Sequence, residues 1–377
     1  MKILKICSVP VTFPGGSEKV ILELSKKMSK KNQVTILQTN LYEEGKKIKK
    51  TSKIGRIKVI TCKNDFFLGG YGYSKEFKRI LKRIWEEYDI IHIYGHGRFT
   101  TNFSLNFLKN KKPILFSPHG FFHDKKHKKF KKLHDVIFRG LLKKAKPHCI
   151  ALTEIEKRRF MDFGVPEKNI SILPGGIELK KVKKFNLSQL RTKYLKKNKG
   201  KKIMLYVGRV HESKGNQYVI KAIKDLDIHF LIAGKDAGYS DFLKELAKKE
   251  GIANKVTLLG MVSDSELEEL YALTDFFILF SSWEGFGLVV IEAMNAEKPV
   301  IVSDRGSLPL LVKDNQTGFI VKYEDVGELT KKIKLLSEDD KFRKEMGKNA
   351  KQFSKKFSWE QLTQDHLKIY GAMKNDK

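Results

Sequence analysis

Cysteine is scarce in this chain, and acid is scarce in its first half. Cys7, Cys62 and Cys149 are odd in number, widely spaced and without any CxxC, which argues against a disulfide framework or a cysteine-based zinc site. Buried, reduced thiols of a cytoplasmic protein are the expectation. No apolar run approaches the roughly 20 residues of a membrane span. The opening MKILKICSV enters directly into strand-like alternation, which argues against a signal peptide. No GxxxxGK[ST] occurs, so a Walker-type NTPase is not supported. The absence of a strict GxGxxG weakens a dinucleotide oxidoreductase, and no HExxH is present.

The 377 residues are about two domains' worth, and 41% hydrophobic content with 11% aromatics is that of an ordinary globular protein. The formal charge of +32 is unevenly placed. Residues 1–200 hold 47 Lys and Arg against 16 Asp and Glu, whereas 201–377 hold 28 against 27. Two units with different electrostatic roles are implied, the first facing something anionic.

Residues 2–9 alternate as a strand, and Pro14-Gly15-Gly16-Ser17-Glu18 forms a turn before Val20, Ile21, Leu24 and Met28 take up helical spacing. Strand-like pieces recur at Gln33–Thr39, Ile57–Thr61, Asp89–Tyr94, Pro113–Ser117, His148–Leu152 and Ile170–Leu173, separated by helical stretches such as Lys75–Glu87 and Glu154–Phe163. A polar, lysine-rich stretch from Leu173 to Lys202 reads as a linker. A second series follows, with strands at Ile203–Val207, Ile228–Ala233, Val256–Leu259, Phe276–Phe280, Pro299–Val302 and Gly318–Val321, and helices from about Asp325 to Tyr370. Such alternation predicts an α/β protein of two doubly wound halves, with the cleft between them as the default ligand site.

The most informative stretch is SSWEGFGLVVIE, Ser281 to Glu292, which reads as strand end, turn and helix. Gly285 and Gly287 leave the turn backbone uncovered, so the free N–H groups of the next helix can meet a phosphate. Glu284 and Glu292 are eight residues apart, roughly 12 Å at helical rise, and both carboxylates can accept from hydroxyls. Spacing alone also fits a buried helix whose turn happens to hold two glycines. After Ile203–Val207 comes GRVHESKG, a loop whose Arg209 and Lys214 suit a leaving diphosphate, or an ordinary solvated loop.

His119, His123 and His127 recur every four residues, but Ser117-Pro118-His119-Gly120 reads as a strand end and loop, so no metal is expected. His119 is instead a candidate polar contact or a structural histidine. Asp225-Leu226-Asp227 has a DxD form yet falls at the wrong end of a strand and reads as a turn. Lys125, Lys126, Lys128, Lys129, Lys131 and Lys132 begin an amphipathic helix with Phe130, Leu133, Ile137 and Leu141 on the other side. That helix suits an anionic membrane face or a merely solvated one.

Together these motifs resemble the retaining GT-B glycosyltransferases of family 4, the glycosyl transferases group 1. The similarity runs over nearly the whole chain and is densest from Leu259 to Val302, where Glu284 and Glu292 form the E-x7-E pattern. Gly15-Gly16, His119-Gly120, Gly208-Arg209, Lys214-Gly215 and Phe357-Ser358-Trp359 also match. The resemblance implies two Rossmann-like domains facing across a cleft, 1–178 on the acceptor side and 179–357 for the nucleotide-sugar donor, with 358–377 packing back on the first. It further implies that Arg209, Lys214, Gly16 and the backbone at Leu288-Val289 hold the donor diphosphate. Glu284 and the backbone of Gly285, Phe286 and Gly287 would bind the sugar, Glu292 the ribose and Val262 the base. His119 would lie beside the anomeric carbon, and Gly15 belongs to the first loop. Three positions depart from the family pattern: Gly175 replaces an asparagine, Lys298 the glycine before Pro299, and Leu310 an acidic residue.

The implied activity is metal-independent, cofactor-free hexosyl transfer with retention. It would run from a nucleotide-diphosphate sugar to a lipid-linked or cell-envelope glycan precursor, at the cytoplasmic face of the membrane. UDP, GDP and ADP donors fit equally. The rival readings are another GT-B enzyme such as a sugar-nucleotide epimerase, and a basic nucleic-acid-binding protein. The neutral second half and its carboxylate pair disfavour the last, so no nucleic acid is expected.

Overall fold

The computed structural model describes all residues except 14, 42–50, 69–70, 120–127, 180–184, 196–200 and 376–377. The side chains of 68 and 128–134 are also outside the description. The chain divides into two compact units, Met1–Gly176 with Trp359–Lys377 (unit 1) and Ile177–Ser358 (unit 2). Each is built on its own largely parallel sheet.

Unit 1 carries strands β1 (Lys2–Ile6), β2 (Gln33–Thr39), β3 (Thr51–Ile54), β4 (Ile57–Cys62), β5 (Phe66–Leu68), β6 (Tyr71–Tyr73), β7 (Ile90–Tyr94), β8 (Ile114–Ser117), β9 (His148–Ala151) and β10 (Ile170–Ile172). Eight of them form one sheet in the order β10-β9-β8-β7-β1-β2-β4-β3. All its pairs are parallel save the antiparallel edge β3–β4, and β5 and β6 make a separate hairpin. The edge strand and the hairpin depart from the sequence expectation. Thr51–Ile54 alternates exposed and half-buried residues, and the hairpin strands have only 3 residues each, too few to show a period.

Side chains alternate across a strand, so β1 sends Leu4 and Ile6 into an apolar cluster with Ile91, Ile93, Ile114 and Phe116. Lys5, in register with His92, faces the other way. That opposite face is covered by the helix Gly16–Met28 and the last helix, Trp359–Asn375, which pack on each other. The last helix buries Trp359, Leu362, Thr363, His366 and Tyr370, a stripe of helical period. Its start is fixed by Gly176: a Cβ there would stand 2.4 Å from the Trp359 ring.

Unit 2 carries β11 (Lys202–Val207), β12 (Ile228–Ala233), β13 (Val256–Gly260), β14 (Phe276–Leu279), β15 (Val300–Ser303) and β16 (Gly318–Val321). The order is β13-β12-β11-β14-β15-β16, with every pair parallel. This is the Rossmann arrangement, with its topological switch point between β11 and β14. β12 and β14 are buried along their whole length, as a parallel sheet covered on both faces requires. Helices Val326–Glu338 and Asp340–Ser354 follow, separated by Asp339, which caps the second through Phe342 N–H. One expectation needs correcting: the left-handed residue before Pro299 is Glu297, with φ of 62°, so the position that favours glycine is one earlier than Lys298. Lys298 is half-buried and donates to the Ala272 carbonyl at 3.2 Å.

Drawn at the unit boundary, the charge contrast softens. Unit 1 holds 41 Lys and Arg against 18 Asp and Glu, and unit 2 holds 34 against 25, because the lysines of 180–201 belong to unit 2. Among the described residues no helix is long and apolar enough to cross a membrane.

Candidate functional site

In a doubly wound sheet the carboxyl ends of the strands on either side of the switch point leave a crevice. In unit 2 those ends continue into the loop Gly208–Gly215 after β11 and the turn 280–287 after β14. The two segments are stitched together. Ser282 N–H donates to the Ser213 carbonyl at 2.8 Å, and Ser282 Oγ reaches the same oxygen at 3.2 Å. Gly215, at φ of 71°, passes so close that a Cβ would stand 2.0 Å from the Phe280 carbonyl oxygen. This approach sets Lys214 Nζ 2.7 Å from Glu284 Oε2, both side chains mostly shielded from solvent. Two residues 70 apart in the chain thus form one ion pair at the switch point.

Glu284 is also held from behind by the loop after β15. Ser307 N–H donates to the Glu284 carbonyl at 3.1 Å and Ser307 Oγ to the Gly285 carbonyl at 2.6 Å. Gly306, at φ of 60°, lies against the Glu284 backbone, where a Cβ would come within 2.5 Å of its oxygen. The helix Leu288–Asn295 opens on Gly287, left-handed at φ of 96°, with no side chain capping its N-terminus. Its first amides are therefore available to an anion. Only the second half of the Glu284–Glu292 spacing is helical, so a helical rise cannot be applied across all of it. Phe286 is buried against Phe357, with ring centroids 6.1 Å apart, so its side chain anchors the turn and leaves only its backbone for a ligand. Glu292 accepts from the Tyr271 hydroxyl at 3.2 Å, and burial holds that phenol well above its ordinary pKa.

On the β11 side, Tyr206 donates to the Arg209 carbonyl at 2.7 Å and leaves the Arg209 side chain exposed. Val262 is half-buried just past β13, next to the capping box of Ser263 and Glu266. Arg209, Lys214, Val262, Glu284 and the Gly285–Val289 backbone thus all belong to one edge of one sheet. Asp227 lies at the opposite, amino end of β12, paired with Lys201 at 2.8 Å.

In unit 1, Gly16 opens its helix at an exposed position, and Gly15 precedes it in extended conformation. His119 follows β8 with a left-handed φ of 49°, its ring stacked on Tyr94 at a centroid distance of 5.4 Å. Its Nε2 is buried without a hydrogen-bond partner among the described residues, and burial lowers its pKa to about 3. Gly120, His123, Lys125, Lys126 and His127 lie outside the described residues, as do the side chains of Lys128, Lys129, Lys131 and Lys132. Among the described residues, no three of His, Cys, Asp and Glu gather where a metal could be held.

Sequence reasoning missed Tyr206, Tyr271 and Ser307, the buttresses of the site. Tyr206 and Tyr271 occupy ordinary core positions of a strand and a helix, and nothing local marks their hydroxyls. The Asp304-Arg305-Gly306-Ser307 turn after an apolar strand was a usable cue.

The family model described as Glycosyl transferases group 1 matches residues 190–353, and that described as Glycosyltransferase Family 4 matches residues 14–181. The chain belongs to the group 1, family 4 glycosyltransferases. It is 34% identical over 166 residues to an uncharacterized glycosyltransferase of Methanocaldococcus jannaschii, MJ1178, covering 44% of this chain and about half (47%) of that protein. It is 27% identical over 314 residues to an uncharacterized 41.2 kDa protein in the cps region of Klebsiella pneumoniae, covering 79% of this chain and 83% of that one. The fold is shared with the Anabaena protein Alr3699/HepE, solved in complex with UDP and glucose. That match has a TM-score of 0.77 and 20% identity, over 99% of this chain and 100% of that one. Two Rossmann-like units in one chain constitute the GT-B fold.

Proposed function

We propose that the protein transfers a hexose from a nucleotide-diphosphate sugar to a hydroxyl acceptor, with retention and without a metal. The Lys214–Glu284 pair at the unit 2 switch point carries this reading. A cation, a carboxylate and an uncapped helix N-terminus brought together by two adjoining loops suit a sugar joined to a diphosphate: the carboxylate accepts from sugar hydroxyls, while the cation and amides meet the phosphates. Binding a donor would draw Lys214 toward the phosphate and free Glu284 for the sugar. Glu292, held by Tyr271, serves the ribose diol, and the Val262 backbone the base. As the bond between the anomeric carbon and the diphosphate breaks, negative charge grows on the leaving oxygen. Lys214, Arg209 and the Leu288–Val289 amides stabilise it, and the acceptor oxygen attacks from the face the nucleotide leaves. His119 serves a substrate hydroxyl from unit 1. The UDP and glucose bound by the Anabaena protein favour a uridine donor.

The acceptor we propose is a lipid-linked or envelope glycan precursor, reached from the cytoplasmic side with the protein peripheral at the membrane. Unit 1's excess of cations supports this, as does its helix Lys128–Ala145, which exposes Val136 and Ile137 beside Arg139, Lys143 and Lys144.

The test is incubation with UDP-, GDP- and ADP-sugars and membrane lipid extract in excess EDTA, with products read by mass spectrometry and anomeric NMR. Expected is an α-linked product from an α-donor. An inverted product, a dependence on added metal, or an epimerised donor formed without acceptor would each refute the corresponding part.

A further inference from the structure

The face of unit 1 beneath its last helix could have been apolar throughout, yet it holds a connected polar chain. The Tyr370 hydroxyl is 2.6 Å from His92 Nδ1, and the Tyr94 hydroxyl is 2.9 Å from the same nitrogen. His92 Nε2 lies 2.8 Å from Ser117 Oγ. With Nδ1 accepting from Tyr370, Nε2–H donates to Ser117, so both ring nitrogens are satisfied away from water. Tyr94 and Tyr370 thus converge on one nitrogen of His92. The Tyr94 ring stacks on His92 at 4.0 Å with 26° between planes, and on His119 at 5.4 Å with 22°.

This chain ends at His119 by two routes, through the stacked Tyr94 ring and through Ser117, two residues upstream on the same strand end. His119 needs such support. A non-glycine residue at φ of 49° persists only where its surroundings over-determine it, and among the described residues its buried Nε2 has no partner. His366, on the same helix, donates from Nδ1 to the Leu362 carbonyl at 2.8 Å and so fixes its own ring without joining the chain.

We infer that Tyr370 is a positioning residue for His119: acting through His92, Tyr94 and Ser117, its hydroxyl fixes the plane of the His119 ring and keeps Nε2 directed at a substrate hydroxyl. Docking of the chain's last helix and alignment of His119 are then a single event. The inference rests on the proposed transfer reaction with His119 in contact with substrate.

The test compares wild type, Tyr370→Phe, Ser117→Ala, His119→Ala and Tyr370→Phe/His119→Ala, using the nucleotide sugar turned over by wild type. Tyr370→Phe keeps the ring and the helix packing, and Ser117→Ala breaks the far end of the chain without touching the helix. Each is expected to lower kcat about tenfold with the donor KM unchanged, as small misplacements do. His119→Ala should lower it further, and the double variant should be no worse than His119→Ala, since both changes act through one group. Ring-nitrogen NMR gives a readout independent of turnover: the His119 signals should shift in Tyr370→Phe and in Ser117→Ala. Unmoved His119 signals in both variants would overturn the inference. So would independent, multiplicative losses in the double variant. A His119→Ala protein with full kcat would remove instead the reading of His119 on which the inference rests.

Discussion

Unit 1 and unit 2 share a plan, a parallel sheet that reverses its strand order beside the first strand of the series, but they fill the switch region differently. Unit 2 pairs its charges. Lys214 meets Glu284, Tyr271 meets Glu292, and backbone bonds join the loops that carry them. Both units bury some polar atoms without partners among the described residues, but unit 1 buries an amine in this way. Lys5 is fully buried in the central strand, its Nζ has no hydrogen-bond partner among the described residues, and the Tyr94 ring lies 5.6 Å from it. A ligand-ready site can be stable when its groups satisfy one another until substrate arrives, whereas a buried amine with no partner lowers stability outright.

The largest expected effect comes from breaking the pairing in unit 2. Lys214→Ala should reduce kcat/KM about a hundredfold or more, as loss of one preorganised charge does, while the thermal midpoint stays near wild type. Steady-state kinetics with far-ultraviolet melting checks both, and an unchanged rate would detach the loop after β11 from the reaction.

In unit 1 the same kind of change should go the other way. Burial lowers Lys5 to a pKa of about 7 from 10.5, so the unfolded chain binds the extra proton between these values. Its destabilising effect is therefore absent above about pH 10.5 and grows as pH falls to about 7. Lys5→Met should therefore raise unfolding stability at pH 7 by on the order of 2 kcal/mol, with the gain vanishing above pH 10.5. Urea titrations at the two pH values measure it, and equal midpoints at pH 7 would mean Lys5 is better solvated than its burial implies.

The buried imidazoles sharpen the contrast on the acid side. Burial lowers His366 to about 4 and His92 well below the ordinary 6.5. The unfolded chain then binds more protons below pH 6.5, so unit 1 should weaken as pH drops from 6.5 toward 4. Unit 2 has one such group, His229 in β12, also lowered to about 4 by burial, so hydrogen exchange should rise in the last helix before it rises in β14. Simultaneous opening of both units would contradict this.

An effect confined to membrane binding, with none on the nucleotide site, is expected at the surface. Exchanging Lys125, Lys126, Lys128, Lys129, Lys131 and Lys132 for Gln should release the protein from anionic liposomes at low salt and leave nucleotide binding intact. Each lysine contributes about 1 kcal/mol near such a surface. Equal sedimentation of the two proteins would remove this helix as the lipid contact.

The doubly wound plan was legible because buried parallel strands are near-continuous apolar runs, as at Phe276–Leu279 and, His229 apart, Ile228–Ala233. The motif residues were legible one at a time, from glycines that the turn demands and charges set beside them. What joins them was not. The Lys214–Glu284 pair, the Ser307 buttress and the Tyr370–His92 chain link residues 70, 22 and 278 apart in sequence, and no local pattern encodes a partner at that distance. Lys5 was hidden for a different reason: in KILKI a lysine reads as the exposed member of an alternation, and only the helices folded over that face, Gly16–Met28 and the last, bury it.

The most direct test of the account is calorimetric titration of UDP, with GDP and ADP as controls, into the wild-type protein and the Lys214→Ala variant without metal. Expected is one site per chain for at least one of the three, weakened about tenfold or more in the variant by loss of a charge-assisted contact. Absence of binding by all three nucleotides, or equal affinity in both proteins, would contradict it.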